Sequence, residues 1–253
     1  MAYYDPTLQK HLRCQRGDVA EYVLIPGDPA RAERIARQFD EYHKVAENRE
    51  YVVYTGTKDG VGLSVCSTGI GGPSTAIAIE ELARIGAHTF IRVGSAGGRK
   101  EHIPVGSVVV VNAAIKGDGT SNAYLPSIYP AVATVEVTQT LLESAQAVLN
   151  GAPCFTGVSY TRDAFYVQNH ELNETFKGTE AAVSEMECAT VFTVGALRGL
   201  RTGAIVGTDS NIFLAKQLTL EEKDALYQAA ERQTIAIAIA AVLKLARADR
   251  GRA

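Results

Sequence analysis

The chain has 253 residues, 46% of them hydrophobic, and a formal net charge of −3, which suits one α/β domain over residues 1–253 and gives no basic surface for nucleic acid or an anionic membrane. No apolar run approaches the ~20 charge-free residues of a transmembrane helix, and the polar start, Met1 to Arg16, lacks a signal-peptide core. Cys14, Cys66, Cys154 and Cys188 are widely spaced with no CxxC pair, the pattern of reduced thiols in a cytoplasmic protein rather than of disulfides or a metal site.

In chain order, Tyr22 to Ile25 reads as a strand. A helix follows over Arg31 to Phe39, with Asp28 as N-cap and Pro29 at its first position. Tyr51 to Thr57 and Leu63 to Ser67 read as strands joined by a turn at Asp59-Gly60. Ser74 to Ile85 is a helix ended by Gly86. Strands are expected over Thr89 to Val93, Ser107 to Val111 and Pro153 to Tyr160, and a helix over Val137 to Leu149. A further helix begins near Met186 and stops before Gly199, and Thr202 to Thr208 is a buried strand. The last helix runs from about Leu220 to Ala246, with a break near Gln233, and Thr219-Leu-Glu-Glu222 is a capping-box pattern. The alternation predicts a mixed, largely parallel central sheet flanked by helices. Ligands of such sheets bind beyond the carboxyl ends of the strands.

Three arginines stand in glycine-rich or polar turns: Arg31 in Pro26-Gly27-Asp28-Pro29-Ala30-Arg31, Arg49 in Glu47-Asn48-Arg49-Glu50, and Arg92 in Arg92-Val93-Gly94-Ser95-Ala96-Gly97-Gly98. Guanidinium groups and backbone N–H groups aimed together suit one small oxyanion, with phosphate the obvious candidate. Gly69-Ile70-Gly71-Gly72-Pro73-Ser74 joins a strand to a helix and serves either tight packing or an anion. Glu185 and Glu187 flank Met186. They read either as solvated charge around a core methionine or as a carboxylate for vicinal hydroxyls with the methionine under a sugar. Asp209, after a buried strand, is either a helix cap or a general acid. Phe165-Tyr166 is core or a flat surface for a base.

Taken together, Pro26-Gly27-Asp28-Pro29, Ser67 to Ser74, Glu80-Glu81-Leu82, Arg92-Val93-Gly94-Ser95, Asp163-Ala164-Phe165-Tyr166 and Glu185-Met186-Glu187 resemble the uridine phosphorylase and hexameric purine nucleoside phosphorylase family over nearly the whole chain. The resemblance implies cleavage of a nucleoside by inorganic phosphate to a free base and (deoxy)ribose 1-phosphate, with no cofactor. It implies phosphate held by Gly27, Arg31, Arg92 and Ser95, with Arg49 reaching in from a neighbouring subunit. His11 would cross the same interface to the ribose 5′-hydroxyl, and Met186 and Glu187 would hold the ribose. Phe165, Gln168 and Glu185 would contact the base, and Asp209 would protonate a leaving purine. The assembly implied is a homo-oligomer, usually a hexamer built as a trimer of dimers, in some members a dimer.

The base is not fixed by these motifs. Uridine phosphorylases carry a Gln and an Arg soon after the Phe-Tyr pair; here Gln168 matches the Gln, but no Arg follows until Arg198. Thr208-Asp209 instead fits the purine-type acid, so a purine nucleoside is the favoured expectation and uridine the alternative. A nucleosidase using water and a silent nucleoside-binding protein are further readings.

Overall fold

The computed structural model describes residues 8–167, 169–216 and 218–251. Tyr22–Ile25 (β1), Val61–Cys66 (β4) and Thr89–Gly98 (β5) form a parallel group with β1 central. Glu41–Asn48 (β2) and Tyr51–Lys58 (β3) extend it antiparallel beyond β4. On its other edge β5 pairs along its length with Arg201–Asn211 (β10). From β10 the sheet continues through Val108–Gly117 (β6), Cys154–Arg162 (β8) and Ala181–Glu185 (β9), and β9 returns to β5. Those five strands therefore close on themselves, while β1, β4, β3 and β2 form an open wing. The short strand Ala131–Val132 (β7) lies on β6.

The central strands are buried on both faces, and alternate residues feed two separate cores. Val23, Ile25, Phe90, Val109 and Val206 face one side, under helices Gly72–Arg84 (α2) and Cys188–Arg198 (α6). Leu24, Ile91, Val93, Val110 and Ile205 face the other, under Pro29–Ala36 (α1), Val135–Leu149 (α4) and Leu220–Arg250 (α7). Gly119–Tyr124 (α3) packs on α6 and α2, and His170–Lys177 (α5) meets β8 through Phe176 and Tyr160.

The caps read from sequence are present. Asp28 accepts from the N–H groups of Ala30 and Arg31, and Thr219 and Glu222 form a reciprocal capping box. Asp59 and Gly60 turn β3 into β4 with both φ positive. Other expectations need correction. Helix α7 runs unbroken through Gln233, because Ala230, Thr234, Ile237, Ala238 and Ala241 keep a buried face at helical spacing. β2 was not expected: its burial is slight and its sequence, Glu-Tyr-His-Lys, is polar. Arg92 lies within β5, not in a turn after it. Glu185 ends a strand, and α6 begins at Cys188 rather than near Met186.

One feature of β5 makes the site. Its first half, Thr89 to Arg92, pairs with β1, while Gly97 and Gly98 on the same edge pair with Ser184 and Val183 of β9. Between these two partners the edge at Val93 to Ala96 is open, and a cavity forms there.

Candidate active site

The cavity has a volume of about 640 Å³, in the range of small-molecule sites. Its lining includes Gly27, Arg31, Arg92 and Ser95, then Met186 and Glu187, and also Arg99, Arg162, Phe165, Asp209 and Phe213. Residues from positions 27 to 213 thus meet at the gap between β1 and β9.

Gly27 follows β1, and its loop is tied to the next one: Thr68 N donates to Pro26 O at 2.8 Å and Gly69 N to Gly27 O at 3.0 Å. A Cβ on Gly27 would stand 3.0 Å from Gly69 O, so glycine permits the close approach of the two loops. Arg31 sits in the first turn of α1 and is buried. Its Nε donates to Glu231 Oε1 at 2.6 Å, one Nη to Val93 O at 3.2 Å and the other to the Tyr227 hydroxyl. Glu231 also receives Arg34. Burial alone would raise the Glu231 pKa, but hydrogen bonds from Arg34 and Arg31 bring it below the ordinary carboxylate value.

Arg92 turns back along its own strand. A Cβ at Gly94 would fall 2.7 Å from the guanidinium carbon, so glycine leaves room for the guanidinium in this position. The Arg92 Nη2 lies 2.6 Å from Glu187 Oε2, and its Nε lies 3.2 Å from Glu185 Oε2. Both glutamates are 5% exposed, which removes the solvated-charge reading. Burial would lower the Arg92 pKa; the two carboxylates more than reverse that and hold it above its ordinary value.

The two carboxylates have different surroundings. Glu185 Oε2 accepts from the N–H groups of Glu187 and Cys188, each at 2.8 Å, and Oε1 accepts from Thr161 Oγ1 at 2.5 Å. Burial opposes its charge, but Arg92 and these donors bring its pKa below the ordinary value. Glu187 accepts from Gly71 N at 2.6 Å. Burial, with Arg92 opposing and Glu185 assisting, raises its pKa. The N-terminus of α2 therefore serves Glu187 through Gly71, not a free anion.

Asp209 is the extra residue of a bulge in β10, between Thr208, which pairs with Ala96, and Ser210, which pairs with Gly97. The bulge re-aims one side chain into the cavity. Burial raises the Asp209 pKa, against a hydrogen bond from Ser210 Oγ at 2.7 Å. Phe165 and Tyr166 are 60% and 92% exposed, so they are not core. Arg162 braces their loop by donating to Phe165 O and Val167 O. Gln168 lies outside the described residues.

Two expected residues do not line the cavity. Arg49 is exposed at φ +57° in the turn between β2 and β3. His11 is tied to α2 instead: its backbone N–H donates to the buried Glu81 carboxylate, and its ring Nδ1 lies 2.6 Å from Glu81 Oε1. Asn48 Nδ2 donates to His11 O at 2.7 Å, so Arg49 and His11 share one surface.

Comparison with known proteins decides the family. Residues 21–244 match the profile described as the phosphorylase superfamily. The chain belongs to the phosphorylase superfamily. It is 41% identical over 237 residues to a uridine phosphorylase of Thermococcus kodakarensis, covering 88% of this chain and 85% of that protein. It is 40% identical over 223 residues to a guanosine phosphorylase of Halorubrum lacusprofundi, covering 88% and 92%. The crystal structure of uridine phosphorylase from Vibrio fischeri superposes with a TM-score of 0.84 at 34% identity, over 94% of this chain and 97% of that one. The resemblance carried by the sequence motifs is borne out, as is the α/β fold it implied.

Within this phosphorylase the sequence motifs missed Tyr227, Glu231 and Arg99. Glu231 stands 200 residues from Arg31, on a helix whose pattern announces only a core face. Arg99 follows the glycines of β5, where a charged residue reads as loop surface, yet it is 7% exposed. Among the described residues no group of His, Cys, Asp or Glu is arranged to hold a metal ion, and no helix is long and apolar enough to cross a membrane.

Proposed function

We propose that this enzyme is a nucleoside phosphorylase, a pentosyltransferase, and that its nucleoside is uridine. The observation that carries the phosphorolytic reading is the convergence of Arg31, Arg92, Ser95 and the Gly27 loop on one cavity that Met186 and Glu187 also line. Phosphate lies against Arg31 and Arg92, positioned by guanidinium forks. One phosphate oxygen bonds to C1′ of the ribose as the C1′–N bond breaks, and the bond's electron pair leaves on the base. Glu187 accepts from the ribose hydroxyls, Met186 packs under the sugar, and Phe165 covers the base. Glu185, its oxygens already engaged, positions Arg92 and the loop of Glu187 rather than touching the base.

Uridine replaces the purine nucleoside that the motifs favoured, because relatives at 39 to 44% identity from Thermococcus, Treponema, Haemophilus and Escherichia are uridine phosphorylases. The Halorubrum guanosine phosphorylase, together with Asp209 on its bulge, supports guanosine as the second reading. Arg49 and His11, on one surface and away from their own cavity, complete the site of a neighbouring subunit in a cytoplasmic homo-oligomer with no cofactor. Uracil release from uridine should require phosphate. Equal release without it would leave a nucleosidase, and no release from uridine but release from guanosine would move the base assignment to the purine.

A further inference from the structure

Of the arginines that line the cavity, Arg31 and Arg92 are paired with buried carboxylates, whereas Arg99 is buried and makes no ion pair among the described residues. Its Nη1 donates to Ser184 Oγ at 2.9 Å and its Nη2 to Asn173 Oδ1 at 3.0 Å, and its Nε is buried with no partner. The guanidinium is enclosed by the rings of Tyr160, Phe176 and Phe213, at 5.6, 5.6 and 5.7 Å from their centroids. Burial, and after it the like charge of Arg162, lowers its pKa. A buried cation without a counter-charge is costly, and cation–π contacts offset only part of that cost. Arg99 stands four residues beyond Ser95, about 13 Å along the strand direction. That separates it along the strand from Ser95 and sets it against Phe213, another residue of the cavity lining.

We propose that Arg99 selects oxo bases: its guanidinium donates to the exocyclic carbonyl of a pyrimidine-4-one or purine-6-one and rejects the corresponding amino bases. A guanidinium only donates, so it complements C=O and confronts C–NH₂ with a second donor. As the C1′–N bond breaks, its electron pair spreads onto that carbonyl oxygen, where a fixed cation stabilises it. Arg99 thus supplies from β5 the cation that is absent after the Phe165-Tyr166 pair.

This inference rests on the nucleoside reading of the cavity, and the test separates the two. Phosphorolysis of uridine, cytidine, guanosine and adenosine is compared for the wild type, Arg99→Met and Arg99→Lys, with phosphate varied and folding followed by thermal unfolding. Arg99→Met should lower kcat/KM for uridine by about 100-fold, compress the uridine-to-cytidine ratio, and leave the phosphate KM within about twofold. Arg99→Lys, which keeps the charge but loses the fork, should fall between. An unchanged uridine-to-cytidine ratio in folded Arg99→Met overturns the assignment and leaves the nucleoside reading standing. Wild type that cleaves none of the four overturns both. Should Arg99→Met not fold, calorimetry of uracil and cytosine on the phosphate-saturated wild type decides: tighter uracil binding supports the role, and equal binding overturns it.

Discussion

Arg92 Nη2 and Glu187 Oε2 are 2.6 Å apart and buried together. The cation assigned to phosphate and the carboxylate assigned to ribose are therefore one unit, locked to the start of α2 through Gly71. Glu187→Gln should disturb both substrates: kcat/KM is expected to fall by about 100-fold, with the KM values for nucleoside and phosphate both raised. Steady-state kinetics with each substrate varied checks this. A change confined to the nucleoside KM would show that the pair does not couple the two subsites.

Tyr227 accepts a hydrogen bond from Arg31 through its hydroxyl, and burial raises its pKa. Tyr227→Phe removes one donor–acceptor contact and keeps the ring. The phosphate KM should rise several-fold, as for the loss of one hydrogen bond to a charged group, while the nucleoside KM stays put. Initial rates across a phosphate series measure it.

Glu231 contributes to stability in a pH-dependent way. Its folded pKa lies below the ordinary carboxylate value, so its stabilisation is fully present above about pH 4.3 and is lost as pH falls through the folded value. Glu231→Gln should lower stability by about 2 kcal/mol at neutral pH. The gap from wild type should close in acid. Denaturant titrations of both proteins from pH 7 down to pH 3 follow the gap, and a gap that widened in acid would reverse the sign.

Asp209 is held toward its neutral form by burial, as a proton donor to a leaving base requires. Guanosine turnover should therefore fall as pH rises through the Asp209 pKa. Asp209→Asn should slow guanosine cleavage by about 100-fold or more and abolish that limb of the pH profile. Retained full activity toward guanosine would remove the role.

Arg49 is exposed, so Arg49→Ala should fold normally, with Tm unchanged, and lose phosphate affinity. Because the residue is assigned to a neighbour's site, mixed and reassociated Arg49→Ala and Arg92→Ala subunits should regain activity that neither homo-oligomer has. Absence of any recovery would place Arg49 outside the shared site.

The chain-order pattern was enough for the strands of the two-faced core and for the caps at Asp28 and Thr219, because those signals are local. Arg31, Arg92, Glu187 and Asp209 were also legible as candidates, since each sits at or near the end of a recognisable strand or turn. What sequence could not supply were pairings across long separations. Glu231 and Tyr227 reach Arg31 from α7, and Thr161 reaches Glu185 from β8. The polar β2 escaped because an edge strand lacks the apolar run that marks a central one. Arg92 looked like a turn residue because Gly94, Gly97 and Gly98 follow it. Those glycines instead allow close contacts inside a strand, with the Arg92 guanidinium at Gly94 and with Asn211 at Gly98.

The central claim is that phosphate, held by Arg31 and Arg92, is the nucleophile. The most direct measurement is the rate of uracil release from uridine as phosphate is raised from zero, with the sugar product identified by phosphorus NMR. A rate that climbs from near zero to saturation, with ribose 1-phosphate formed in step with uracil, is the predicted result. Uracil released at full rate without phosphate, together with free ribose, would contradict it.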